Sequence, residues 1–188
     1  MNTRTLLDTA AAVKQLQAGH VIAYPTEAVF GLGCDPSDEA AVRKLLLLKG
    51  RHESAGLVLI ASDFSQLKPW VSEVDDYLID KAMQTWPGPV TWLFPRAAGV
   101  PDYVAGQHDT IAVRITAHEP SRALCTAFGS ALISTSANHT SAKPARSVAQ
   151  VLDYFGSDLA GVLEGELGDG EKPSEIRDLV SGKIIRQG

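Results

Sequence analysis

The sequence predicts an α/β fold, a single domain built on one mixed sheet, parallel and antiparallel, with flanking helices. Three observations lead there. Short apolar runs alternate with segments of helical periodicity along the whole chain, the pattern of strands joined by crossover helices. The last stretch, residues 176–180 and 183–186 about Ser181-Gly182, has hairpin character and brings antiparallel pairing into the same sheet. A chain of 188 residues suits one compact domain that buries roughly 70% of its unfolded surface without help from disulfides or metal.

The elements follow in order. Leu6, Ala10, Val13 and Leu16 recur at helical spacing and Gly19 can close the last turn, so residues 4–18 read as an amphipathic helix. A strand follows at 21–24. Residues 25–33 hold a proline and two glycines and carry neither period, which predicts a loop leaving the strand's C-terminal end. Asp35-Pro36 places an N-cap before a proline at the first helical position and opens a helix to Leu48. A buried strand at 57–61, a helix at 74–85 and a strand at 90–94 come next. Beyond a loop over 95–109 lie a strand at 111–115, a helix at 120–128 stopped by Gly129, and a short strand at 131–134 that runs into the polar segment 135–146. A helix at 148–155 and a strand near 161–163 lead to the terminal hairpin.

Composition excludes several classes. The net charge of −5 argues against a protein held to nucleic acid by its overall field. Cys34 and Cys125 stand without a Cys-x-x-Cys or a Cys/His cluster, so neither zinc nor a disulfide framework is supported, and both read as buried small hydrophobes. The longest apolar runs, 45–48 and 57–61, fall far short of the ~20 residues that span a bilayer. With no secretory signal at the N-terminus, the expectation is a cytoplasmic protein with no membrane contact, and the glycosylation-type triplet at Asn138 means nothing. The Walker A, dinucleotide-binding, serine-hydrolase elbow and zinc-protease motifs are missing. Trp70, Trp86 and Trp92 read as core. His20, His108, His118 and His139 read as surface residues, and the acidic stretch 158–178 as a solvated face.

Three features carry chemistry, and all lie at or beside strand ends, where open sheets bind ligands. The first is Pro25-Thr26-Glu27-Ala28-Val29-Phe30-Gly31-Leu32-Gly33, whose glycines allow close backbone approach and whose Thr26 hydroxyl both donates and accepts; by itself it is also an ordinary tight turn. The second is Lys49-Gly50-Arg51 at a helix end. A point charge and a planar fork suit polyphosphate, although cations also complement a helix C-terminus. The third is Ser134-Thr135-Ser136-Ala137-Asn138 after an apolar strand. Four polar side chains there either satisfy their own turn or face a ligand, and hydroxyls and an amide suit phosphate and ribose oxygens.

Taken together, Tyr24-Pro-Thr-Glu-Ala-Val-Phe-Gly-Leu-Gly-Cys-Asp, Lys49-x-Arg51, Ala112-Val-Arg-Ile, Ser134-Thr-Ser-Ala-Asn, Pro173-Ser-Glu-Ile-Arg-Asp and Ile185-Arg-Gln-Gly resemble the YrdC family, specifically its short bacterial TsaC-type branch, in the family's order. The resemblance implies one YrdC-like domain over 1–188, without the C-terminal extension domain of the longer branch. It implies threonylcarbamoyl-AMP synthesis: L-threonine, bicarbonate and ATP combine with release of pyrophosphate, and the product passes to the proteins that transfer threonylcarbamoyl to tRNA adenosine. Carried over, Lys49 and Arg51 bind the ATP phosphates as catalytic residues. Ser136, Asn138 and Arg186 contact the nucleotide, and Thr26, Arg114, Ser134 and Ser174 hold threonine, with Arg114 facing its carboxylate. Mg²⁺ is expected to ride on the ATP phosphates, with no dedicated protein cage for a metal. No residue is required as a general base.

Three positions depart from the family pattern: His52 for proline, Ala55 for lysine, and His139-Thr140-Ser141 for a hydrophobic-Ser-Gly sequence. Two other functions compete. An RNA-binding module would use a concave basic face built from the run 42–51 with Lys143 and Arg146, and weak RNA affinity could also accompany synthesis. A hydrolase would use Ser134 or Ser136 as nucleophile.

Overall fold

The computed structural model describes residues 6–188. In chain order the strands are β1 (Leu6–Leu7), β2 (Ile22–Pro25), β3 (Phe30–Gly33), β4 (Val58–Ala61), β5 (Val90–Pro95), β6 (Thr110–Ile115), β7 (Leu132–Ser136), β8 (Val162–Leu163), β9 (Glu175–Asp178) and β10 (Ile184–Arg186). The helices are α1 (Thr9–Gln17), α2 (Glu39–Lys49), α3 (Asp76–Met83), α4 (Asp102–Ala105), α5 (Glu119–Phe128) and α6 (Val148–Phe155). The strands form one sheet in the order β1-β8-β2-β3-β7-β4-β6-β5-β9-β10. Pairs β1/β8, β2/β8, β4/β6 and β5/β9 are parallel and the remainder antiparallel, so the mixed sheet expected from the sequence is present.

Alternation along the strands builds a core on each face. In and beside β2, Val21 and Ala23 join Leu45, Leu59 and Trp92 on one side, while Ile22 and Tyr24 join Leu16, Ile60 and Leu124 on the other. Trp70, Trp86 and Trp92 are all buried. Helices α1 and α5 pack together over β2, β8 and β4. The site lies on this same face, beyond them toward β6.

Four expectations are corrected. Residues 4 and 5 of the expected first helix lie outside the described residues, and Leu6 is not helical: it pairs with Val162 in β1. Helix α1 starts only after Asp8, whose Oδ1 accepts the Ala11 N–H at 2.7 Å. The expected loop 25–33 is half strand, because Phe30-Gly31-Leu32-Gly33 pairs antiparallel with β2 and β7. Glycine is required there by close approach: a Cβ on Gly33 would stand 2.5 Å from the Tyr24 ring and 2.6 Å from the Ile133 carbonyl.

Helix α2 is capped not by Asp35 but by Asp38, whose Oδ1 receives the Ala41 N–H; Asp35 closes a local turn onto the Ser37 N–H. Last, the acidic stretch is a solvated face at Asp158, Glu164, Glu166, Asp169 and Glu171, as expected, but not at its end. Glu175 and Asp178 belong to β9, and the Arg177 guanidinium between them lies over the Trp92 ring at 5.6 Å.

Candidate active site

Register sets up a polar row on one face of the sheet. Val58 pairs with Ala112 on one side and Ser134 on the other, while Ile60 pairs with Arg114. Two-residue periodicity therefore points Ala112, Arg114, Ser134 and Ser136 to the same side. Gly31 stands opposite Ser136 and adds no side chain to crowd it. The result is a cleft of about 400 Å³, within the range of small-molecule sites. Thr26 and Glu27 form one wall, Arg51 another, and Ser174 and Arg186 of the terminal hairpin a third.

Three arginines converge on this cleft. Arg51 donates through Nη2 to the carbonyls of Gly56 at 2.8 Å and Ala55 at 3.2 Å, and its buried Nε has no partner among the described residues. Arg114 pairs through Nη1 with Glu27 Oε1 at 2.7 Å; its buried Nε is likewise unpartnered. Arg186 donates through Nε and Nη2 to the Ser174 carbonyl. Burial first, and then the charges of Arg114 and Arg51, lower the Arg186 pKa. Three guanidinium groups about one cleft make a compact positive field that favours anionic ligands. Glu27 offsets one of these charges and leaves the three-arginine cluster net positive. Burial alone would raise its pKa, but the Arg114 charge and the bonds from Arg114 and Thr116 outweigh that and hold the carboxyl below its ordinary range, so it stays ionised.

Thr26, Arg51, Arg114, Ser134, Ser136, Ser174 and Arg186 thus share one cleft. Lys49 and Asn138 stand behind its wall instead. Lys49 is only 4% exposed, and its Nζ donates to the Ser136 carbonyl and to the Asn138 carbonyl and Oδ1. Asn138 is equally committed: Oδ1 accepts the Ser136 hydroxyl at 2.6 Å and Nδ2 donates to the His139 and Ala142 carbonyls. Burial, and secondarily the Arg51 charge, pull the Lys49 pKa down to about 8.

Stability and ATP affinity are expected to respond to this lysine in opposite directions. Between about 8 and the ordinary lysine value the unfolded chain holds the proton and the folded chain does not, so stability is expected to rise with pH through that window. If Lys49 serves ATP, as the family resemblance implies, ATP affinity is expected to fall as pH rises through about 8. Melting curves and ATP titrations from neutral pH to about 10 check this, and parallel trends would remove Lys49 from the ATP site.

The departures at 139–141 build a clasp onto α2. Thr140 donates through N to the Lys49 carbonyl and through Oγ1 to the Lys49 and Gly50 carbonyls. His139 places its two ring nitrogens at the Leu48 and Tyr154 carbonyls, 2.9 and 3.1 Å away, so this residue, exposed as expected, is also a joint between α2 and α6. Ser141 takes φ 70° where glycine would be at ease. Ser141→Gly is expected to stabilise the protein by about 0.5–1 kcal/mol, seen as a melting temperature higher by about 2 °C; a lower one would show that the seryl side chain outweighs the strain of its backbone. At the other two departures His52 accepts the Ser54 N–H, and Ala55 gives the cleft a small apolar side chain.

The basic run does not form one concave face. Arg43 pairs with Glu39 and Glu53, Lys49 turns inward and Arg51 faces the cleft. Neither Ser134 nor Ser136 hydrogen-bonds a histidine among the described residues, and the Ser136 hydroxyl is given to Asn138. Among the described residues there is no cluster of three or more His, Cys, Asp or Glu side chains able to hold a metal ion. No helix there is long and apolar enough to cross a membrane. Sequence reasoning missed Glu27 and His108 as lining residues, together with the apolar surface of Leu57, Pro89, Leu93 and Ala105.

Comparison with known proteins fits this geometry. The family model described as Sua5_yciO_yrdC, telomere recombination, matches residues 14–188. The chain belongs to the Sua5/YciO/YrdC family. Relatives within that family include a protein of Halorhodospira halophila, 48% identical over 94% of this chain and 92% of its own, and one of Alkalilimnicola ehrlichii, 50% identical over 92% and 91%. Both are named threonylcarbamoyl-AMP synthase. Among solved structures, P. abyssi Sua5 complexed with L-threonine superposes with a TM-score of 0.85 at 29% identity, covering 90% of this chain and 50% of that one. E. coli YciO superposes at 0.81 with 23% identity, covering 98% and 93%, and extends the Sua5/YciO/YrdC likeness of fold.

Proposed function

We infer that this chain is a threonylcarbamoyl-AMP synthase, a nucleotidyltransferase that joins L-threonine, bicarbonate and ATP and releases pyrophosphate in service of threonylcarbamoyladenosine formation in tRNA. The observation that carries the reading is the convergence of Arg51, Arg114 and Arg186 with the hydroxyls of Ser134, Ser136 and Ser174 in one cleft. It is supported by near-50% identity to enzymes of that name and by a threonine-bound relative.

The chemistry asks for such a site. A carbamate oxygen attacks the α-phosphorus, the bond to the β-phosphate oxygen breaks, and two anions must meet on the way. In reactions of this kind, fixed cations that meet the developing charge usually accelerate the reaction more than any other single effect. Arg51 and Arg186 serve the phosphates and Arg114 the threonine carboxylate, while Ser136 contacts the nucleotide, Asn138 sets the Ser136 hydroxyl from behind the wall rather than touching the nucleotide itself, and Thr26, Ser134 and Ser174 hold threonine. Lys49 serves ATP from behind Ser136. Of its bonds, the one to Asn138 Oδ1 is the longest at 3.2 Å and is the one an arriving phosphate would exchange. Glu27 is the one carboxylate lining the cleft and is engaged by Arg114. The donor set therefore fits Mg²⁺ carried on the phosphates, where it would screen their charge.

On this reading the enzyme is cytoplasmic and hands its product to threonylcarbamoyl-transfer proteins. The test is pyrophosphate release from Mg-ATP with threonine and bicarbonate each present or omitted. Release that needs both is expected; release that ignores threonine would overturn the assignment.

A further inference from the structure

Glu27 is out of place in a site built only for phosphates. A carboxylate among Arg51, Arg114 and Arg186 repels any phosphate that enters, and it lies on the cleft wall beside Arg114. Its two oxygens differ. Oε1 accepts both Arg114 Nη1 at 2.7 Å and the Thr116 hydroxyl at 2.8 Å, whereas Oε2 receives no hydrogen bond from another described residue. The side chain retains 20% exposure and lines the cleft, and Oε2 is the oxygen left for a ligand there. Arg114 in turn has an unpartnered Nε. A guanidinium and a carboxylate thus stand side by side, each with a free atom. The ligand complementary to such a pair bears an anion and a cation on neighbouring atoms in the opposite order, which describes an α-amino acid.

We propose that Glu27 binds the ammonium group of the amino-acid substrate through Oε2 while Arg114 binds its carboxylate, making the pair the element that selects a zwitterion. The inference rests on the synthase reading and adds to it a residue for the amine. Held below the ordinary carboxylate range, Glu27 is too weak a base to keep the ammonium proton, so it anchors the nitrogen while bicarbonate takes that proton and breaks down to water and carbon dioxide, which the freed amine attacks to give the carbamate with loss of its second proton to water. Anchoring fixes which face of the nitrogen meets the one-carbon substrate.

The experiment uses the full chain with a non-hydrolysable α,β-methylene ATP and three titrants. L-Threonine carries both charges, L-threoninol only the ammonium, and 2,3-dihydroxybutyrate only the carboxylate. Glu27→Gln keeps an acceptor for Arg114 and Thr116 but removes the charge. It is expected to weaken threonine and threoninol by about tenfold or more, while dihydroxybutyrate binds no more weakly and the ATP analogue binds as before. Loss of dihydroxybutyrate with threoninol retained would mean that Glu27 only holds Arg114 in place, and the proposal would fall. Loss of the ATP analogue would likewise reduce Glu27 to structural support and overturn it. Wild-type protein without affinity for threonine would overturn the synthase reading itself, whereas threonine binding undiminished in E27Q would overturn the ammonium assignment alone.

Discussion

Lys49→Met is expected to lower threonine-dependent pyrophosphate release by at least about a hundredfold and the melting temperature by about 5–10 °C. The two losses have different origins. Activity falls because a fixed positive charge behind Ser136 disappears from a site where anions must meet. Stability falls because the ammonium donates to Ser136 and Asn138, and buried acceptors left without donors cost about 1–3 kcal/mol each, offset in part by relief of a buried charge. Arg51→Ala separates the effects. Its side chain is partly exposed and is held by two carbonyls of its own loop, so a comparable fall in turnover is expected with a much smaller shift in melting. Assays of both variants alongside melting curves check this; pyrophosphate release maintained in either would withdraw that residue from the phosphate site.

Arg114→Met is expected to raise the threonine KM by about a hundredfold or more while changing the ATP KM little. Removing one partner of a buried charge pair costs about 2–5 kcal/mol, much of it the penalty of leaving the other charge alone. Here the abandoned partner is Glu27, so the single variant should also melt earlier. Arg114→Met combined with Glu27→Gln is expected to recover the melting temperature without recovering threonine use. Steady-state kinetics with each substrate varied decide the matter, and an unaltered threonine dependence would take Arg114 out of the carboxylate site.

Much of the fold was legible because local signals agreed with the global one. Helix α6 has the ends expected from its periodicity, and α5 stops at Gly129, which adopts a left-handed conformation. Strand β3 was illegible for a physical reason. Glycines at alternate positions look like a loop to any local reading, and only the Tyr24 ring lying against Gly33 shows why a strand needs them. The start of α2 was misread because Asp35-Pro36 carries a helix-start signal, whereas Asp35 closes a local turn and the helix is capped three residues later by Asp38. In the site, Ser134 and Ser136 could be read from the polar segment that follows an apolar strand, whereas Arg114 was implied only by the family resemblance. The inward turn of Lys49 could not, since its acceptors lie 87 and 89 residues further along the chain. Glu27 was visible as a neighbour of Thr26, yet its pairing with Arg114 exists only once the turn between β2 and β3 comes over β6, three strands away in the sheet.

The clasp between α2 and the segment after β7 runs in both directions. Lys49 gives its side-chain protons to Ser136 and Asn138, and Thr140 returns its own to the Lys49 backbone carbonyl. Two sequence motifs far apart in the chain are therefore one thermodynamic object. Substitutions in Lys49-Gly50-Arg51 and in Ser136–Thr140 will not add, and the tolerance of either motif to change depends on which residues occupy the other.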